Sequence, residues 1–411
     1  MIQVDEGASL YLNVNDLPPE EGVNRVLDFA ADLGASDLFF ISQETHIRVS
    51  VRHLGLLRLL TIMPVELGRR CIAHVKALAG MDVAERRRPL DGRWILRRKD
   101  DNAIDLRLNT IPTLYGEDVS VRLLDRESRL LSIDTLGLFR KDYNELLNLL
   151  NSPSGLILVT GPTGSGKTTT LYACLAYLNN GERKINTIED PIEYALDGTC
   201  QSQINPRIDL HFAELLRSVL RQAPDVVMVG EVRDPETAEI AVRAANSGLL
   251  VLATLHAPVA AGAIQSMLSL GVHPHYLSSS LRGAIAQRLV RTLCPKCRVA
   301  YEMPEAAQTF AEVQPYLEPG QGKVLYGPKG CPECRNLGYS GRTGVFEILS
   351  VTDTIRRMIL AREPTQAIRH KAVEEGMVEF RHAALLKVAQ GQTSVEEVFR
   401  SVPSEYLSSG D

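Results

Sequence analysis

The sequence predicts an α/β protein in two parts: a small α+β domain over residues 1–125, then, past a linker at 126–136, a larger domain over 137–411 built on a parallel sheet. Three observations carry this. In the first part, apolar residues recur at helical spacing and then at every second position. From residue 137 onward, helical segments alternate with short, largely apolar runs. Such runs suit strands buried on both faces, which implies helices on both sides of a parallel sheet. Third, a glycine-rich stretch stands between one of these runs and a helix.

Taken in order, residues 18–33 place Val23, Val26, Leu27, Ala30 and Leu33 at helical spacing, with prolines at the start and Gly34 just past the end. Ile47, Val49 and Val51 then alternate with Arg48, Ser50 and Arg52, and Gly55 interrupts before Leu56, so residues 35–60 predict a hairpin or meander. Helical spacing returns over 66–84. Residues 104–108 and 118–124 predict strands joined through Pro112 and Gly116. In the second part the apolar runs are 156–160, 185–188, 226–229 and 249–255. A helical tail is expected over 353–400, punctuated by Gly376 and Gly391.

Composition narrows the class. The chain has 411 residues, 45% hydrophobic and 23% charged, as in ordinary globular chains of more than one domain. A net charge of −5 argues against a dedicated nucleic-acid binder, and 5% aromatics argue against base-stacking platforms. Asp5 and Glu6 do not suit a signal peptide. The longest stretch free of Asp, Glu, Lys and Arg, 244–281, is broken by Asn246, Gly248, His256, Pro258 and His273, so membrane association is expected to be peripheral only. Cys71, Cys174 and Cys200 are scattered and read as buried thiols of a reducing, cytoplasmic compartment.

Gly161, Pro162, Thr163, Gly164, Ser165, Gly166, Lys167 and Thr168 fit the phosphate-binding pattern G-x-x-x-x-G-K-[ST], with an apolar run before it and a helix over 169–178 after it. The glycines let backbone N–H groups close on phosphates, and the helix N-terminus adds its positive dipole. Lys167 is expected to reach the β- and γ-phosphates of ATP and the Thr168 hydroxyl to ligate Mg2+, with Thr169 beside them. With the parallel sheet, this is a RecA-like P-loop core. The run at 185–188 delivers Glu189, Asp190 and Glu193 to one loop, where carboxylates can polarise a water or stand in the outer shell of Mg2+. The run at 226–229 ends in Gly230-Glu231, the shape of a Walker B strand whose glutamate faces Mg2+ and its water.

Four cysteines are patterned. Cys294 and Cys297 form one C-x-x-C pair, Cys331 and Cys334 another, within an element at about 290–345. Four thiolates suit closed tetrahedral Zn2+ coordination, a structural site with no position left for chemistry. The long insert costs little, because loop-closure entropy grows slowly with length. Two redox pairs or four free thiols are the alternatives; the matched pairs, with Gly330 and Gly338 nearby, favour zinc.

The chain resembles the secretion ATPases of type II secretion and type IV pilus assembly, in their extension-type, zinc-containing branch. The resemblance rests on ASD at 35–37, RPLDGR at 88–93, the strings over 105–124 and 216–241, GPTGSGKTTT, TIEDPIEY, ATLH at 253–256 and AQRLVRTLCPKC at 286–297. It implies a PAS-like first domain and a hexameric ATPase that couples ATP hydrolysis to assembly of pilin-like subunits through an inner-membrane platform protein. The motor would be cytoplasmic and peripheral at that membrane. By the same resemblance Glu193 is the catalytic base and Glu231 the Walker B glutamate. Arg107 and Arg122 are directed at the nucleotide from the first domain, Arg217 and Arg221 form a second arginine pair, and His256 is the second histidine of the family's His box. On the residues alone, Arg107 and Arg122 are equally ordinary strand-surface residues. In the family the ATP site lies between the two domains, and their closure is the power stroke.

Departures are also visible. Ser247-Gly248-Leu249 stands where Thr-Gly-His is usual, Ala257-Pro258-Val259 follows His256, Ala223 replaces an Asp, Leu38-Phe39-Phe40 follows ASD, and Leu54-Gly55 replaces Asp-Gly. Leu249 is expected to weaken a polar link to the γ-phosphate side and slow hydrolysis. This keeps open an ATP-binding regulatory or assembly subunit with weak turnover; a nucleic-acid translocase is the more distant alternative. The extra N-terminal module of many secretion ATPases has no counterpart ahead of residue 18, so recruitment is expected to use another surface.

Overall fold

The computed structural model describes residues 10–98, 103–125, 131–302 and 310–407. Asp5 and Glu6 lie outside them, as does the first part of the expected linker, 126–130. The chain divides into two compact units, Met1–Arg129 and Leu130–Asp411.

In the N-terminal unit, α1 (Pro19–Asp32) is followed by β1 (Asp37–Ser42), β2 (His46–His53), β3 (Leu56–Pro64), α2 (Val65–Leu78), β4 (Leu90–Arg97), β5 (Ala103–Thr113) and β6 (Gly116–Asp125). The strands form one antiparallel sheet in the order β3-β2-β1-β6-β5-β4. Val23, Val26 and Leu27 of α1 and Cys71, Ile72 and Val75 of α2 share one core with Leu38, Val49, Leu106 and Val121 of the sheet. The α2 helix stops short of residue 84. Gly80, at φ +71°, turns the chain left-handed, and Met81 N–H closes on the Lys76 carbonyl at 2.9 Å. β4 is an edge strand in which Leu90, Gly92, Trp94 and Leu96 turn inward and alternate with exposed Asp91, Arg93, Ile95 and Arg97.

The second unit runs α3 (Arg140–Leu150), β7 (Gly155–Thr160), α4 (Lys167–Leu178), β8 (Ile185–Glu189), β9 (Thr199–Gln203), α5 (Phe212–Leu220), β10 (Val226–Val229), α6 (Pro235–Asn246), β11 (Leu250–Leu255), α7 (Ala260–Ser269) and α8 (Pro274–Ser280). Then come β12 (Leu281–Leu293), β13 (Val299–Glu302), β14 (Val324–Gly327), β15 (Tyr339–Ser350) and four helices: α9 (Asp353–Leu360), α10 (Thr365–Glu374), α11 (Phe380–Ala389) and α12 (Val395–Ser401). The main sheet has the order β15-β12-β7-β11-β10-β8-β9, parallel except for β15. Its strands are buried on both faces, as the apolar runs predict. In β10, Val227 and Val229 enter one core and Val226 and Met228 the other.

The tail is part of this body. Ile355, Ile368, Phe380 and Val398 belong to the same core as Val227 and Val229. Glu397, fully buried, takes paired bonds from Arg291 of β12 (2.8 and 2.6 Å) and from Arg400 (2.7 and 2.6 Å). Burial alone would raise its carboxyl, but these bonds outweigh it and hold the group down at about 2. Of the scattered cysteines, Cys71 and Cys174 are buried, with burial pushing their thiols up to about 11 and about 12. Cys200 departs from expectation: it lies exposed on β9. Among the described residues no helix is long and apolar enough to cross a membrane.

Candidate functional site

β7 delivers the chain to the middle of the parallel sheet, and the phosphate loop leaves from its C-terminal end. Gly166, at φ +90°, precedes the first turn of α4. Gly161 is hemmed in: a side chain there would meet the Gln287 carbonyl at 2.6 Å and Ser165 Oγ at 2.7 Å. Gln287 on β12 donates to the Ser165 carbonyl at 2.7 Å and so braces the loop from the neighbouring strand. Ser165 Oγ is buried without a protein partner, an orphan that suits a loop whose partner is a ligand. Lys167 Nζ folds over the loop, donating to the carbonyls of Gly161 at 2.8 Å and Pro162 at 3.2 Å. Burial holds it below its usual range, with Glu231 opposing and Arg288 assisting. Pro162, Thr163, Gly164 and Thr168 face solvent, and Thr169 is half-buried.

Glu231 follows β10 at the same sheet edge. It pairs with His256 Nε2 at 2.7 Å and more closely with Arg233, whose other end lies 3.5 Å from Asp190. Burial would raise the Glu231 carboxyl; the Arg233 bond and charge, then His256, outweigh it and hold it below the usual carboxylate range. His256 is positioned because Thr160, at the end of β7, exchanges hydrogen bonds with Ala257, one from its hydroxyl at 2.8 Å and one to it at 2.6 Å. Arg233 was missed in the sequence. Its signal was position, two residues beyond Glu231 and thus on the same strand-end loop. Glu231, Arg233 and His256 open onto a cavity of about 750 Å³ that Arg369 and Tyr406 of the tail also line.

The loop after β8 carries the other carboxylates. Glu189 is buried and engaged: it accepts from the Tyr172 hydroxyl, from Thr187 Oγ1 at 2.6 Å and from Gln201 Nε2 at 3.1 Å. Glu193 is half-buried, and its backbone N–H points to the Tyr172 hydroxyl at 3.4 Å. Arg217 of α5 pairs closely with Glu236 of α6, and Arg221, at the end of α5, donates to the Arg217 carbonyl at 3.2 Å.

Leu249 is elsewhere. It precedes β11, where its carbonyl accepts from Gly155 N–H at 2.9 Å, at the start of β7. The parallel register puts Leu250 beside Gly155 and Leu255 beside Thr160. Roughly 20 Å of strand, at about 3.3 Å per residue, therefore separates Leu249 from the edge that carries the phosphate loop. The expectation of a direct polar link from position 249 to this site is overturned.

In the N-terminal unit, strand register lines up Arg93, Arg107, Arg122, Asp37 and Arg52 across β4, β5, β6, β1 and β2. Arg93 is forked onto Asp105 (2.8 and 2.6 Å), and Arg122 and Arg52 share Asp37 at 3.2 and 3.6 Å. Like charges directly opposite one another are destabilising, a cost that Asp37 and Asp105 offset here.

The four patterned cysteines converge. All four sulfurs lie within 4.8 Å of one another, with Cys294–Cys331 at 3.9 Å, Cys297–Cys334 at 3.7 Å and Cys331–Cys334 at 3.6 Å. A tetrahedron with metal–sulfur bonds of about 2.3 Å has edges of about 3.8 Å, so the donor set fits such an ion. Backbone N–H groups of Cys331 and Gly338 each approach Cys334 Sγ at 3.2 Å, which suits a thiolate. No pair is joined as a disulfide.

Comparison with known proteins gives one answer. The family model described as Type II/IV secretion system protein matches residues 13–400. The type II secretion system ATPase E of Vibrio cholerae is 43% identical over 398 residues, covering 97% of this chain and 78% of that protein. The type IV pilus assembly ATPase PilB of Pseudomonas aeruginosa is 44% identical over 387 residues, 94% of this chain and 68% of that one. Among solved structures, the pilus retraction motor PilT with bound ADP aligns at a TM-score of 0.59 and 25% identity, covering 92% of this chain and 95% of that one. The ATPase DotB of Legionella pneumophila aligns at 0.68 and 21%, covering 94% and 96%, a likeness of fold.

Proposed function

The chain belongs to the Type II/IV secretion system protein family, and on that premise we propose that it is a motor that hydrolyses ATP at the C-terminal edge of its parallel sheet to drive assembly of pilus or pseudopilus subunits. The observation that carries this is the meeting of three elements at one edge: the Lys167 loop after β7, Glu231 after β10 and the Asp190–Glu193 segment after β8.

Each residue then has work that its position allows. The loop from Gly161 to Thr169 holds the phosphates through backbone N–H groups and the α4 dipole. Lys167 releases the Gly161 and Pro162 carbonyls and turns to the phosphates. Thr168, exposed at the first turn of α4, holds Mg2+, which supplies charge neutralisation for phosphoryl transfer. Glu193 takes the proton from the attacking water. Glu231 orients that water, with His256 and Arg233 fixing its carboxylate. Arg217 and Arg221 add positive charge from α5. Arg107 and Arg122, neighbours in register on β5 and β6, are the residues of the first unit assigned to the nucleotide phosphates. The four cysteines hold one structural Zn2+. We assign the working form to a homohexamer at the cytoplasmic side of the inner membrane, acting on a platform protein there. The weak-turnover reading loses the motive it drew from Leu249, which sits at the opposite edge of the sheet; the Ala257-Pro258-Val259 loop after His256 is the motive that remains to it.

The test is Lys167→Ala. Steady-state ATP hydrolysis of the purified protein is expected to fall to background with the oligomer intact. Retained hydrolysis would remove this loop from the active site.

A further inference from the structure

Behind the reactive edge lies a buried polar cluster that none of the roles above uses. Tyr172 sits one and a half turns into α4, fully buried, with its hydroxyl on Glu189. Its ring packs on Tyr194, centroids 4.4 Å apart. Gln201 on β9 completes the cluster. Its amide nitrogen reaches Glu189 Oε1 at 3.1 Å, the Tyr194 carbonyl at 3.2 Å and the Tyr172 hydroxyl at 3.4 Å, while its oxygen accepts from Leu196 N–H at 2.8 Å. Apart from the Gln201–Tyr172 contact, each of these lands on Glu189 or on the segment that follows it. That segment carries Glu193, whose own N–H points to the Tyr172 hydroxyl.

A glutamate offered for catalysis needs an open face and a proton path. Glu189 has neither: it is 3% exposed, with both oxygens occupied. Buried Tyr172 and Glu189, bonded to each other and to half-buried Gln201, cost less to keep together than to separate, because losing the Tyr172 hydroxyl strands a buried Glu189 oxygen away from water. The cluster therefore fixes the path of residues 190–196 to α4, the helix that begins in the phosphate loop. A general base must hold its carboxylate within hydrogen-bond reach of the attacking water, and a misplacement of about 1 Å costs as much as 10²-fold.

We propose that Tyr172, Glu189 and Gln201 are positioning residues that clamp the Glu193 loop to the phosphate-loop helix, so that base and phosphates keep one geometry. This rests on Glu193 being the base, and the experiment separates the two claims. Tyr172→Phe keeps the ring and deletes the hydroxyl; Glu193→Gln is assayed beside it, both in the full chain and well below its melting temperature. The expected result is an inactive Glu193→Gln, with Tyr172→Phe showing kcat lowered about tenfold and KM for ATP within about twofold, the signature of lost transition-state geometry. Combining Tyr172→Phe with Glu189→Gln should cost little beyond the worse single change, as for residues that act as a unit. A Tyr172→Phe protein with the wild-type kcat, or one whose losses only follow its melting temperature, overturns the clamp and leaves the base assignment standing. An active Glu193→Gln overturns the assignment beneath it. If Tyr172→Phe does not fold, Gln201→Leu carries the same expected split of kcat from KM and the same reversal.

Discussion

In the phosphate loop, the groups arranged for a ligand are mostly backbone, held open by left-handed glycines and propped from behind by Gln287. In the cysteine cluster, the groups are side chains, drawn into a set whose sulfurs all lie within 4.8 Å, three of the pairs at 3.6–3.9 Å. One stands where four solvent-facing residues can admit and release a substrate; the other lies among cysteines that are buried apart from half-buried Cys331. Both depend on β12, which braces the loop at Gln287 and delivers Cys294 just past its end. The difference separates a site built for turnover from one built for permanence. A backbone cradle binds what comes and goes, whereas four converged thiols secure the fold.

The contrast is sharpened most by Glu193→Gln. It should bind ATP yet hydrolyse it at least ~100-fold more slowly, the usual loss for a missing general base. Single-turnover hydrolysis beside nucleotide binding measures both. Equal loss from Glu189→Gln with Glu193→Gln active would exchange the two carboxylates.

Next comes Cys331→Ser. Metal analysis of the unaltered protein should return about one zinc per chain, and the variant should lose it. Protection from hydrogen exchange should fall over residues 290–345. ATP affinity of the isolated subunit should stay within about twofold, since effects at separated sites add independently. Loss of ATP binding as deep as that of Lys167→Ala would show that β12 transmits strain between the two and would break the comparison.

The smallest effect is expected from Leu249→His, with turnover within about twofold of the parent, because roughly 20 Å of strand lies between that position and the reaction. A several-fold rise at matched protein concentration would mean that the start of β11 reports on nucleotide by a route outside its own sheet edge.

The features legible in the sequence were those written in short spacing. The phosphate loop, the cysteine pairs and the largely apolar, fully buried strands β7, β8, β10 and β11 each declare themselves within a dozen residues. β4 was less legible, because Gly92 on its inner side and Ile95 on its outer side blur the alternation of Leu90, Trp94 and Leu96 with Asp91, Arg93 and Arg97. The Tyr172–Glu189–Gln201 cluster was not legible either, because its members meet only once α4, β8 and β9 pack. A tyrosine deep in a buried helix was the available signal, since its hydroxyl needs a partner. Leu249 was misplaced for a related reason. It was read by its nearness in sequence to His256, but a parallel strand carries the two residues to opposite edges of the sheet.

The arginine row of the N-terminal unit carries a trade-off. Neighbouring strands lie about 4.8 Å apart, inside the screening length of about 8 Å at physiological salt, so facing guanidinium groups repel one another in the resting protein. Asp37, shared by Arg122 and Arg52, and Asp105, forked by Arg93, stand against that charge. Trimming one arginine relieves the repulsion. Variants selected for thermal robustness should accordingly drift toward neutral residues at Arg107 and Arg122, and selection for activity should hold them charged. The row is a place where heat tolerance and work are set against each other.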